Sequence, residues 1–189
     1  MLKKLQKNKS EGFTIIEVMI VLAIAGLILL IVFLAIPALQ RSQHNTQRKN
    51  DAASVSAAIA NFLSNNGGQV PSTVSGDGTN TNNLVIRRGA TGNSETAKLG
   101  FYTTATSATA GASSGNVFIS TVAAAPTMTN NNGAAASATN VTNNSLAIVV
   151  GVGCNDTQTG PGTVNARTAA VFYNTESATG NGALQCVEQ

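Results

Sequence analysis

The polar and apolar positions divide the chain into three stretches. From Val18 to Leu39 no side chain is charged, and no face of a helix built from this run would be polar, which excludes an ordinary soluble amphipathic helix. Val18 to Ile36 is 19 residues, about 28 Å at the helical rise and close to the hydrocarbon thickness of a bilayer. The pattern therefore predicts a membrane-spanning helix. Beyond it, Arg41, Arg48, Lys49 and Asp51 predict a wet face, while Val55, Ile59, Phe62 and Leu63 recur at i, i+4, i+7 and i+8, enough to dock a sheet. Asn65-Asn66-Gly67-Gly68 followed by Pro71 is a stop signal. One helix of about 50 residues, from Phe13 to about Asn65, accounts for both stretches.

The third stretch has period-two character. Residues 67–83, rich in Gly, Ser, Thr and Asn, read as a loop. Leu84–Arg88, Leu99–Thr104, Asn116–Val122, Leu146–Val152, Thr168–Asn174 and Leu184–Val187 read as strands, with polar linkers between them, notably Thr127–Asn144. Leu146, Ile148 and Val150 alternate with Ala147 and Val149, and Val149 makes the outer face unusually apolar. No helical period follows Gly67 and no internal repeat is present. The expected fold is α+β: one long N-terminal helix with an antiparallel β-sheet head packed on its C-terminal half.

Charge changes this picture at the N-terminus. Of the net +3, residues 1–12 carry all: Lys3, Lys4, Lys7 and Lys9 against Glu11. The remaining seven bases and seven acids balance, so the pI of about 9.1 belongs to the leader and gives no reason to expect nucleic acid as a direct ligand. Lysines ahead of an apolar segment stay cytoplasmic, which puts the chain beyond Leu39 outside. A secretory peptide would be cut after its apolar region. Here the position that invites cleavage is Gly12–Phe13, ahead of that region, so the helix would remain on the mature chain. Glu17 then needs explaining, because an unpaired carboxylate at the edge of a membrane helix costs about 1–3 kcal/mol. A first-turn acid meets the positive end of the helix dipole; a partner cation, the new amine of Phe13 on the same or a neighbouring chain, is the alternative.

Cys154 and Cys186, an even pair beyond a membrane segment, favour a disulfide in an oxidising compartment over two buried thiols. Closing that loop would stabilise the head by about 3–4 kcal/mol. No second cysteine pair accompanies them and the single His44 is distant in sequence, so no zinc site is expected. Gly111-Ala112-Ser113-Ser114-Gly115 has the G-x-S-x-G spacing of a nucleophile elbow, but no histidine follows it. Asp77-Gly78-Thr79-Asn80-Thr81-Asn82 resembles a calcium loop without its closing Glu and reads as a polar turn. Arg87-Arg88 reads as an exposed strand end, with a contact to DNA or an anionic surface as the alternative. Asn140, Asn143 and Asn155 stand in N-x-[ST] triplets, common by chance in such loops. No Gly-Lys-Ser/Thr phosphate loop exists, so any ATP-driven step needs another protein. Neither enzyme activity, cofactor nor metal is expected.

The leader followed by GFTIIEVMIVLAIAGLILLIVFLAIPALQ resembles the N-terminal segment of type IV pilins and the related pseudopilins, over roughly residues 9–40, about a sixth of the chain. The resemblance implies cleavage between Gly12 and Phe13 by a prepilin peptidase that also N-methylates Phe13. It implies that Glu17 pairs with a neighbouring subunit's N-terminal amine and sets register, and that Gly26 and Pro37 weaken the helix. Pro37 lies about one turn later than the family's usual proline. The layout implied is a cleaved leader (1–12), a transmembrane and assembly half-helix (13–40), an exposed amphipathic half (41–66) and a β-rich head (67–189). The implied partners are lipid before assembly, further copies in a helical filament, an assembly platform and a separate ATPase. The precursor would sit in the cytoplasmic membrane and the assembled subunit at the cell surface, in adhesion, twitching motility or DNA uptake. A pseudopilin or minor pilin of a type II secretion or DNA-uptake system is the alternative, and a signal-anchored surface binding domain that never polymerises is a third.

Overall fold

The computed structural model describes residues 12–105, 111–121, 129–130, 140–177 and 182–189. Except for Gly12, the leader lies outside them, as does part of the Thr127–Asn144 linker. Two compact units are present, residues 1–40 and 41–189.

Helix α1 runs unbroken over Ile15–Asn65, through Gly26 and Pro37. Pro37 has no N–H, so the carbonyl of Phe33 loses its usual donor. In the first unit the helix is built almost wholly from apolar residues, and their side chains are exposed: Ile15 by 81%, Leu34 by 74%. This segment satisfies its backbone internally and leaves its side chains for an apolar surrounding. The C-terminus is closed by backbone geometry. Gly67 (φ 62°) and Gly68 (φ 78°) take the left-handed conformation, and Gly68 N–H donates to Leu63 O at 2.8 Å, a six-to-one closing bond.

In the second unit, α1 is followed by β1 (Thr73–Gly76), β2 (Asn83–Arg87), β3 (Ser94–Lys98), β4 (Ser113–Ser114), β5 (Val117–Thr121), β6 (Thr129–Asn130), β7 (Asn140–Val141), β8 (Leu146–Cys154), β9 (Pro161–Asn174) and β10 (Leu184–Glu188). They form a three-stranded sheet β1-β2-β3, a five-stranded sheet β10-β9-β8-β5-β4 and a two-residue pair β6-β7. The helix buries Ala52, Val55, Ala58 and Ile59 against both larger sheets, meeting Val74, Leu84 and Ile86 from one and Ile119, Leu146, Ile148, Val150 and Val171 from the other. The apolar stripe expected of the helix is thus the face that docks.

The apolar outer face of β8 has a counterpart. Leu146, Ile148 and Val150 face the helix, whereas Ala147, Val149 and Val152 form a second cluster with Val141, Ala170, Phe172 and Cys186. A strand buried on both faces reads as a continuous apolar run. This cluster includes the disulfide Cys154–Cys186, which ties β8 to β10 across β9.

Three expectations need correction. Residues 67–83 are not all loop: Thr73–Gly76 pairs with β2 in register Val74↔Ile86, although Val74 is its only large apolar residue, too little for a periodic signal. Leu99–Thr104 is not a strand. The strand is the polar Ser94–Lys98, which buries only Ala97, while the Gly100, Phe101 and Tyr102 amides of the following run are taken by a helix carboxylate. Finally, pairing is antiparallel throughout the two larger sheets except at β5 and β8, which run parallel (Val117↔Leu146). Strand order depends on long connections that local pattern does not encode.

Replacing both Cys154 and Cys186 with Ser is expected to lower head stability by about 3–4 kcal/mol, for a closed loop with a sequence separation of 32. Equilibrium chemical denaturation with and without reductant measures this; a double variant as stable as the oxidised wild type would show that strand pairing alone holds this end.

Candidate functional site

At the start of α1, Gly12, Phe13 and Thr14 precede the helix in non-helical backbone, and Phe13 is 90% exposed. Thr14 is the N-cap. Its Oγ1 faces the Glu17 amide at 3.4 Å, and Glu17 Oε2 accepts from Thr14 N–H at 2.8 Å and from Thr14 Oγ1–H at 2.6 Å. This is a capping box, in which a threonine and a glutamate three residues on satisfy each other's backbone donors. The spacing Thr14-Ile15-Ile16-Glu17 carries that signature in the sequence itself. Phe13, Glu17, Val18, Val21 and Leu22 line one shallow concavity. The arrangement presents an accessible peptide bond at Gly12–Phe13 and, four residues on, a carboxylate with one oxygen held by its own chain. Gly26 lies further along the apolar face, and a Cβ there would meet nothing within 4 Å.

A second constellation lies on the exposed half of the helix, and it corrects the expected wet face. Arg48 is fully buried and Asp51 is 4% exposed. The Arg48 guanidinium donates to Glu176 Oε1 through Nη2, to Asn45 Oδ1 at 3.2 Å through Nη1, and lies 4.2 Å from the Phe101 ring centroid. Asn45 accepts from Glu176 N–H at 2.7 Å and donates to Glu176 O at 3.0 Å, pairing with that backbone as a neighbouring strand would. His44 Nδ1 stands 3.8 Å from Glu176 Oε2. One turn on, Asp51 Oδ1 accepts from Gly100 N–H (2.6 Å), and Oδ2 from Phe101 and Tyr102 N–H (2.8 and 2.9 Å). Two carboxylates thus join one helix face to two chain segments, and Phe101 sits between them. His44, Arg48, Asp51, Val55, Ile59 and Phe62 continue a single helical stripe. That spacing was the available signal: a charge on the stripe faces the core whatever its type.

Burial pushes the Tyr102 phenol well above its ordinary value of 10.0, and Tyr173 also upward, so both stay neutral beside this cluster. Asp77 is used up by its own turn. Oδ1 accepts from Asn80 and Thr79 N–H, Oδ2 from the Asn83 amide, and these bonds hold its carboxyl well below the usual carboxylate range. Ser113 lies in a hairpin, since Ser114 pairs with Val117 across Gly115-Asn116, and not at a strand-to-helix elbow. Asn155 Oδ1 accepts from Thr157 and Thr159, organising the β8–β9 turn.

The fold is α+β with pilin-like architecture: one long N-terminal helix whose second half is packed under mixed sheets. Residues 7–33 match the family model described as the prokaryotic N-terminal methylation motif, the prepilin-type cleavage and methylation signal of type IV pilins and pseudopilins. No curated protein and no solved structure matches the chain.

Asp51→Ala orphans three amides and is expected to cost about 3–5 kcal/mol, with Asp51→Asn, which keeps one acceptor, costing about half. Denaturation of the full chain in nonionic detergent tests this, and a cost below about 1 kcal/mol for Asp51→Ala would show that the clamp is dispensable. Asp77 gives a pH signature. Its depressed native value means that its contribution is full above the ordinary 3.8 and is lost as the pH falls below it. The difference in thermal midpoint between wild type and Asp77→Asn should therefore shrink on acidification; a difference constant from neutral pH to about pH 2 would refute it.

Proposed function

We propose that this chain is the structural subunit of a type IV pilus-like surface filament. It is made as a membrane precursor, cut between Gly12 and Phe13, methylated on Phe13 and polymerised through its N-terminal helix. The observation that carries this reading is the methylation motif over 7–33 combined with a helix whose apolar side chains stand exposed from Phe13 to Leu39.

About 20 large apolar side chains in water would cost tens of kcal/mol. Moving them from lipid to neighbouring helices changes their free energy little, because lipid tails are as apolar as leucine. Extraction from the membrane is therefore feasible only into a filament core. Glu17 supports the same course of events. While the chain is in lipid, Thr14 satisfies Glu17 Oε2. After cleavage, the Phe13 amine of a neighbouring copy is the cation that the carboxylate would take as the two helices come into register. The leader's lysines hold the precursor's N-terminus on the cytoplasmic side until then. Pro37, with its missing N–H, and Gly26 are the positions where the helix would yield most easily during packing. The processing enzyme would be a prepilin peptidase; an assembly platform and an ATPase supply what this chain lacks.

Two measurements test the proposal together. The mature chain should begin at Phe13 with one added methyl group by mass spectrometry; a chain that begins at Met1 refutes processing. Glu17→Ala should leave the membrane precursor at wild-type level while lowering filament yield at least about tenfold, the equivalent of about 1.4 kcal/mol per contact. Normal filaments from Glu17→Ala would overturn the register role, and a mature chain with no filaments under any condition would point to a signal-anchored domain.

A further inference from the structure

The strand pair β8–β9 departs from regular pairing on one side only. Val150 pairs with Ala169 and Val152 with Val164, so Gly151 alone stands opposite Asn165, Ala166, Arg167 and Thr168. The excess residues form an outward bulge that closes on itself: Arg167 N–H donates to Asn165 Oδ1 at 3.1 Å and Thr168 Oγ1–H to Asn165 O at 3.0 Å. Bulges re-aim side chains. This one carries Ala166 and Arg167 to the wall of an open cleft of about 460 Å³, whose other wall is formed by Gln69, Val70, Pro71 and Arg88. Gln69 Oε1 accepts from Arg88 Nη1, which holds that guanidinium in place. No carboxylate lines the cleft, and among the described residues neither Arg88 nor Arg167 has an acidic partner.

Two arginines from separate elements line one cleft that has no carboxylate in its walls, which leaves their positive charge to an anion. A planar fork of N–H donors is matched by a phosphate or carboxylate. The charge is confined to this pair, and the chain beyond the leader is balanced overall, so the site suits one oxyanion and offers no track for a polyanion. Val70, Pro71 and Ala166 add an apolar edge. We infer that the Arg88–Arg167 cleft binds the oxyanion head, phosphate- or carboxylate-type, of a small ligand that also has an apolar part. The bulge in β9 is the device that completes the site.

The test uses the full chain in nonionic detergent micelles, with amide NMR shifts followed during titration with inorganic phosphate, thymidine monophosphate and a DNA duplex. Saturable shifts at Gln69, Val70 and Ala166 are expected with a Kd on the order of millimolar for inorganic phosphate, and tighter for the nucleotide, which can use the apolar edge. Arg88→Ala and Arg167→Ala should each weaken binding about tenfold, and Lys98→Ala, at a residue that lines a different cleft, should leave it unchanged. Arg167→Lys, which keeps the charge and loses the fork, should fall between wild type and Arg167→Ala even if the alanine variant does not fold. Shifts that do not saturate, that survive in both alanine variants, or that fall equally in Lys98→Ala would overturn the site. Duplex DNA binding about a hundredfold tighter than phosphate would replace it with a nucleic-acid surface.

Discussion

A run of more than twenty apolar residues can satisfy its peptide groups away from water in one simple way, as a helix whose hydrogen bonds are all internal. That constraint governs α1 from Ile15 to Gln40, and the Thr14–Glu17 capping box follows from it. The first turn of such a helix has four free N–H groups, and lipid offers them no acceptor. A threonine and a glutamate at the right spacing close part of that gap from within the chain. Glu17 is therefore first of all a structural component of the helix start. Its cost in an apolar surrounding is offset locally, and its other oxygen makes no hydrogen bond among the described residues.

The same helix solves a different problem after Gln40. There it is the scaffold of the head, and its docking stripe includes charge. Asp51 takes three consecutive amides from residues 100–102, and this decides why that segment is not a strand although it is apolar enough to be one. Its donors point at the helix, so none remain for a ladder. Arg48 and Asn45 treat Glu176 in a similar way. Local pattern made the long helix, its stop, its stripe and the strands at 146–152, 168–174 and 184–187 legible. It failed where a tertiary partner overrode propensity. Arg48 and Asp51 were read as solvated because they are charged, when their position on the Val55–Ile59–Phe62 stripe placed them inside. Thr73–Gly76 was read as loop because its neighbours, not its own side chains, make it a strand.

The apolar outer face of β8 was visible in Val149, but the reason for it was not. Val149 lies in a second small cluster with Phe172 and Val141 that includes the disulfide. The cysteines were legible as a pair from number and context. What the spacing alone could not give is that the bond spans β9, reinforcing the C-terminal strands of a sheet whose other side must pair in parallel with β5. In the candidate site, Gly12, Phe13 and Glu17 were all legible from the motif, whereas the threonine that holds the glutamate emerged from geometry.

Charge ties these observations together. The chain from Phe13 onward has seven acids and seven bases, yet the two signs are used differently. The carboxylates of Glu17, Asp51, Asp77 and Glu188 accept from backbone N–H groups, and those of Glu95 and Glu176 from the Asn65 and Arg48 side chains. Lys49, Arg88, Lys98 and Arg167 are exposed. Carboxylates are compact acceptors that can serve as caps and clamps, while long cationic side chains keep their heads in water. Most of the acids therefore serve the fold, while among the bases Arg48 is buried and Lys49, Arg88, Lys98 and Arg167 face outward. At Arg88 and Arg167 two exposed bases from separate elements line one cleft.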